Sequence, residues 1–358
     1  MVSIDANPFK EELIRVAKEI GTPGKGILAA DESTGTIGKR FAGINVENTE
    51  SNRQAYRNLL VTAPDIDKHI SGVIFYEETI DQKTDDGMTM AMKLRSRGIH
   101  VGIKLDKGIV KIGGTSDETA TQGLDGLAAR CKTFYEKGCR FAKWRAVLKI
   151  GDGMPSELSI QETAWTLARY GSICQDNGLV PIIEPEILQD GAHSIETCAG
   201  ISERVFAAVM KAMLDQRLLI EGCMLKPNMV TQGAACAERA TPAQVAWYTI
   251  RTLSRTVVPA LPTVCFLSGG SSEEDASLFL NAMNHESNTQ PKPWSLTFSY
   301  GRALQKSVLK AWSGDPKNVK AAQAVLLERA SANGAASIGK YKGGSGDSSS
   351  QFVANYSY

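Results

Sequence analysis

Eight short apolar runs, each followed by a stretch with helical spacing, constrain the fold of this chain more than any other feature. They lie at 26–33, 70–76, 100–106, 139–147, 179–186, 220–229, 263–268 and 294–302. Between them, Leu124, Leu127, Ala128 and Cys131 recur on one helical face and Gly138 supplies a stop. Ser156 is placed to cap a helix through Trp165, Leu167 and Tyr170. Thr241-Pro242-Ala243-Gln244 reads as a capping box with proline at the first helical position, and Ser271-Ser272-Glu273-Glu274 as a second box. Met88, Met92 and Leu94 predict a helix whose methionines fill the core. Eight alternations of strand and helix are the count of a (β/α)8 TIM barrel; a doubly wound open sheet is the alternative.

Asn7 and Pro8 open an additional N-terminal helix through Leu13, Val16, Ala17 and Ile20. No composition break separates two halves, so residues 1–342 read as one barrel domain. Residues 343–358 read as a flexible tail: Gly/Ser-rich to Ser350, then Phe352 to Tyr358 with three aromatics. The N-terminus shows neither a basic leader nor an apolar span, which predicts a protein outside the secretory route and outside the membrane. The charge balance of 40 basic against 39 acidic residues argues against nucleic acid or an anionic membrane as partner. Seven scattered cysteines without a Cys-x-x-Cys pair read as free thiols in a reducing compartment. The four histidines have no ligand spacing, and no metal or other cofactor is expected.

Strands of a parallel barrel are apolar on both faces, because helices cover the outside and side chains fill the inside. These runs depart from that rule at their C-terminal ends. Asp31 closes the first, Lys104 and Asp106 the third, Lys143 and Arg145 the fourth, and Glu184 and Glu186 the fifth. Lys226, Ser268 and Arg302 close the last three. Strand side chains alternate faces, so each pair shares one face and can point to the barrel mouth, where barrel enzymes keep their sites.

Lys226 is pinned between Leu225 and Pro227, at the point where proline ends the strand ladder. A lysine withdrawn from water there can attack a carbonyl. Lys143, two strands earlier, adds a like charge that favours the free amine, Glu184 is a candidate acid/base for carbinolamine dehydration, and Asp31 one for moving a hydroxyl proton. So many cations around one mouth require an anion, and phosphate fits. Ser268-Gly269-Gly270 before a helix start, with Arg302 beside it, matches a barrel phosphate site. Lys104 and Arg145 are placed to hold a second phosphate.

Leu28 to Gly35, Gly102 to Gly108, Phe141 to Arg145, Ile183 to Glu186, Leu225 to Met229 and Leu267 to Gly270, in that order, resemble class I fructose-bisphosphate aldolase. The resemblance extends through Ser299-Tyr300-Gly301-Arg302 to a terminal tyrosine and is most similar to the plant cytosolic type. It implies reversible cleavage of fructose 1,6-bisphosphate to dihydroxyacetone phosphate and glyceraldehyde 3-phosphate, in glycolysis and gluconeogenesis, with Lys226 forming the Schiff base and Glu184 shuttling protons. It implies Asp31, Lys143 and Glu186 as catalytic neighbours and Tyr358 as a mobile residue assisting enamine protonation. Phosphate contacts are implied at Ser268, Gly269, Gly270, Ser299, Gly301 and Arg302 at one end and Ser33, Lys104 and Arg145 at the other. A cytoplasmic homotetramer is implied as well, together with cytoskeletal filament binding in some members. The weaker alternatives are another Schiff-base barrel enzyme such as transaldolase and a non-catalytic cytoskeletal scaffold.

Overall fold

In a computed structural model, which describes residues 7–354, the eight runs close into a single parallel barrel. The strands are β1 (Gly26–Ala30), β2 (Ile70–Phe75), β3 (His100–Lys104), then a two-stranded hairpin β4 (Ile109–Lys111) and β5 (Thr119–Thr121). β6 (Phe141–Leu148), β7 (Val180–Ile187), β8 (Met224–Leu225), β9 (Thr263–Phe266) and β10 (Ser295–Tyr300) complete the set. Hydrogen bonding runs β1-β10-β9-β8-β7-β6-β3-β2 and back to β1, which rules out the open sheet. The hairpin stands outside the barrel in the connection after β3. Its short, half-exposed strands carry no apolar run by which a sequence would announce them.

Two apolar clusters follow from strand alternation. Leu28, Ala30, Phe75, Ile103, Trp144, Ile183, Leu225 and Phe266 face outward and pack under the helices. Ile27, Ala29, Ile74, Phe141, Val180, Ile182, Met224 and Cys265 face inward and fill the lower barrel. The N-terminal helix Lys10–Ile20 closes that end by adding Leu13, Val16, Ala17 and Ile20 to the inner cluster. Gly102 is required here because a Cβ would come within 2.3 Å of the Phe141 ring that fills the interior.

Several helix starts are as expected. Ser156 accepts the N–H of Ser159, and Thr241 and Gln244 form the full capping box. Other local readings need correction. Asn7 does not cap the first helix, whose N-cap is Phe9; the Asn7 Oδ1 instead accepts the Phe9 N–H at 2.8 Å. The cap of helix Glu273–Asn284 is Ser272, bonded to the N–H of Asp275, rather than Ser271. Glu273 is thereby turned inward to accept the N–H and hydroxyl of Ser307. Met92 is 54% exposed rather than core filler, because the helix is only Met90–Arg95 and Met90 and Leu94 take its buried face. The last helix spans Val319–Ala336.

The Gly/Ser stretch beyond the last helix lies against the barrel. Glu274 accepts the N–H groups of Gly344 and Gly346, and Glu273 that of Asp347. Buried Gln351 donates its backbone N–H to the Gly270 carbonyl, and its own carbonyl accepts from Arg302. Tyr358 lies outside the described residues. No helix among the described residues is long and apolar enough to cross a membrane.

Candidate active site

The inward face of each strand continues upward by twos, and its chemistry changes as it does. Ile27 and Ala29 lead to Asp31, Phe141 to Lys143 and Arg145, Val180 and Ile182 to Glu184 and Glu186, and Met224 to Lys226. The apolar plug is thus overlaid by a charged layer, and every one of these charged residues is buried.

Lys226 extends β8 by one more ladder bond, from its N–H to the Ile183 carbonyl at 2.8 Å. Pro227 has no N–H to donate, which interrupts the ladder, although its carbonyl still accepts the Leu267 N–H at 3.1 Å. Alternation from inward-facing Met224 turns the lysine side chain into the mouth. The apolar run at 220–229 therefore yields only two strand residues, preceded by a 3₁₀ turn at Ile220–Gly222. Lys226 is 4% exposed, and its Nζ lies 3.1 Å from Glu184 Oε1. On the other side of that carboxylate, Lys143 Nζ lies 3.5 Å from Glu184 Oε2 and 2.9 Å from Asp31 Oδ2. The two lysines do not face one another bare, because Glu184 stands between them.

Buried carboxylates normally resist ionisation, since burial penalises the charged form. For Asp31 that penalty is outweighed by Lys143, Lys226 and Lys104, which hold its pKa at about 2. Glu186 is likewise held below the usual carboxylate range: burial opposes this, but Arg145, then Arg302 and Lys226, prevail. Arg145 Nε meets Glu186 Oε2 at 2.5 Å, and Lys104 Nζ meets Asp106 Oδ1 at 2.7 Å.

Asp31, Lys143, Glu184, Glu186 and Lys226 line one cavity with Ser268, Gly269, Ser299, Gly301 and Arg302. The buried Ser299 hydroxyl has no hydrogen-bond partner among the described residues. Gly270 lines the adjoining recess, not this cavity, and its N–H is taken by Gln189 at 3.0 Å. Lys104 and Arg145 stand outside the cavity lining, joined to it through Asp106 and Glu186. Ser33 caps helix Thr34–Ala42, its hydroxyl accepting the Thr36 N–H at 3.4 Å.

Sequence reasoning missed Arg40, which lines the cavity and pairs with Glu32. Glu32 is buried, bonded to Arg57 at 2.7 Å and to Gln305 at 3.0 Å, and held below the usual range because Arg40 and Arg57 outweigh its burial. The available signal was Glu32 beside Asp31 in a buried run, since a carboxylate there demands a cation nearby.

A family model for "Fructose-bisphosphate aldolase class-I" matches residues 12–358. The chain belongs to the class I fructose-bisphosphate aldolases. It is 58% identical over 354 residues to "Fructose-bisphosphate aldolase 5, cytosolic" of Arabidopsis thaliana, covering 98% of each chain. It is 58% identical over 353 residues to a cytoplasmic isozyme of Spinacia oleracea, again covering 98% of each. A solved structure of the Plasmodium falciparum aldolase, in complex with TRAP and a small-molecule inhibitor, superposes with a TM-score of 0.93. That structure is 55% identical to the chain, covering 96% of this chain and 98% of that one. As a class I aldolase the protein cleaves fructose 1,6-bisphosphate reversibly to dihydroxyacetone phosphate and glyceraldehyde 3-phosphate. The class is metal-independent and works through a lysine Schiff base.

Proposed function

We propose that Lys226 is the lysine that forms the Schiff base and that the charged layer around it carries the proton transfers. The observation that carries this reading is Glu184 Oε1 at 3.1 Å from Lys226 Nζ, deep in the mouth, with Lys143 and Asp31 completing the chain of contacts. Glu184 accepts a proton from Lys226, which frees the amine to attack the ketone carbon of the open-chain sugar. The same carboxyl then protonates the carbinolamine oxygen, water leaves, and an iminium remains.

Asp31, ionised throughout the neutral range, takes the C4 hydroxyl proton as the C3–C4 bond breaks. The electron pair of that bond passes into the iminium and gives an enamine, and the aldehyde departs. Protonation at C3 and hydrolysis of the imine by water release the ketone product and restore Lys226. Lys143 stabilises oxyanion charge between Asp31 and Glu184, and Glu186 fixes Arg145. Tyr358 assists enamine protonation, so its removal slows turnover while leaving imine formation intact.

Ser268, Gly269, Ser299, Gly301 and Arg302 form the grip for one phosphate, supported by the Ser299 hydroxyl, which has no partner among the described residues. Lys104, Arg145 and Ser33 serve the other, with Arg40 at the cavity wall. The enzyme acts in the cytoplasm, like the relatives named cytosolic. It acts as a homotetramer, for which exposed Leu158, Trp165 and Leu214 on neighbouring helices are the supporting feature. Borohydride reduction in the presence of dihydroxyacetone phosphate, followed by peptide mass mapping, tests the central assignment. The reduced adduct is expected on Lys226, and an unmodified Lys226 beside a labelled lysine elsewhere refutes it.

A further inference from the structure

Gln189 ties together three loops at the edge of the catalytic mouth. It follows β7 by two residues and is half-buried. Its Oε1 accepts the Gly270 N–H at 3.0 Å, its Nε2 donates to the buried Thr231 hydroxyl at 2.8 Å, and its carbonyl accepts the Ala234 N–H at 2.7 Å. The assignment of its carboxamide is forced, because a backbone N–H can only donate and must meet the oxygen.

The segment that Gln189 holds is a tight turn. Ser271 N–H returns to the Ser268 carbonyl at 3.0 Å, and Gly269 sits at φ +52. With the Ser271 and Gly270 N–H groups both engaged, Gly269 is the glycine of this turn left lining the cavity that contains Lys226. A Cβ on Gly270 would come within 2.7 Å of Gln189 Oε1 and 2.9 Å of the Phe352 Cα, so the contact is closely fitted on both sides.

We propose that Gln189 is a positioning residue for phosphate binding: by clamping Gly270 it fixes the turn so that Gly269 and Ser268 face the substrate phosphate. Gln189 does not touch substrate; it sets the orientation of groups that do. A turn without this clamp samples other orientations, and the phosphate must then order it on binding, which weakens affinity without altering the bond-breaking steps. The inference rests on the proposed reading of Ser268, Gly269 and Arg302 as a phosphate grip.

The test measures kcat, KM for fructose 1,6-bisphosphate and Tm for wild type, Gln189→Leu, Gln189→Glu and Arg302→Ala. Gln189→Leu removes the acceptor, and KM is expected to rise about five- to tenfold, the worth of one hydrogen bond, with kcat within about twofold. Gln189→Glu keeps an acceptor for Gly270, and the Thr231 hydroxyl can reverse to donate to it, but a negative charge now lies beside the phosphate. Its KM is expected to rise at low salt and to recover as ionic strength increases, which the leucine variant's does not. Unchanged KM in both folded variants, or a loss confined to kcat and Tm, overturns the role of Gln189 if Arg302→Ala raises KM. If Arg302→Ala also leaves KM unchanged, the phosphate reading itself fails and takes the inference with it.

Discussion

The lower and upper halves of the barrel interior are built on the same strands, the same inward face and the same period of two, yet they do opposite things. Below, Ile27, Phe141, Val180, Ile182 and Met224 pack with the helix Lys10–Ile20 into a dry plug. Above, two or four residues further along, stand Asp31, Lys143, Glu184 and Lys226. The lower half lowers free energy by removing apolar surface from water. The upper half takes charges out of water at a cost that is tolerated only because each finds a partner. The plug is what makes the layer above possible, since it gives buried lysines and carboxylates a rigid floor that keeps water out from beneath.

Breaking the upper half is expected to give the largest effects. Lys143→Met leaves Asp31 buried without its 2.9 Å partner, which is expected to cost about 3–5 kcal/mol of stability in urea titration. Turnover should fall at least about a hundredfold, because proton transfer loses its partner. In the lower half, Leu13→Ala opens a cavity in the plug, far from the mouth. It is expected to cost about 2–5 kcal/mol in the same titration, with kcat of the folded fraction unchanged.

The next effect depends on pH. Asp31 has a folded pKa of about 2 against an ordinary 3.8, so it stabilises the folded state above about pH 4. That contribution, about 2 kcal/mol, is lost as pH falls through about 2 and should be missing from the acid unfolding curve of Asp31→Asn. The smallest effect is at the rim. Ser33→Ala removes a helix cap and is expected to lower stability by about 1 kcal/mol in thermal melts, whatever it does to KM.

The halves also differ in how far they could be read from sequence. The barrel was legible because eight apolar runs recur, and the mouth because charges interrupt those runs at one end and alternate by two. Those signals are local. Gln189 was not legible, because it acquires its meaning from loops distant in the chain, those of Thr231 and Gly270. Arg40 lies only eight residues from its partner Glu32, but its place on the cavity wall emerged only with the fold. Ser33 was legible as a motif residue, while its capping of Thr34–Ala42 emerged only with the helix. Met92 was misplaced because a six-residue helix buries too little of its face to hold every apolar residue it carries.

The most direct test compares two neighbours on one face, Met224 and Lys226, each altered alone, with stability and turnover measured side by side. Met224→Ala is expected to lose about 2–4 kcal/mol of stability in urea titration while keeping imine formation with dihydroxyacetone phosphate. Lys226→Met is expected to change stability by no more than about 1–2 kcal/mol, since Glu184 retains Lys143, while turnover falls on the order of a thousandfold or more. A Lys226→Met enzyme that still forms the borohydride-trapped adduct and turns over would contradict the account.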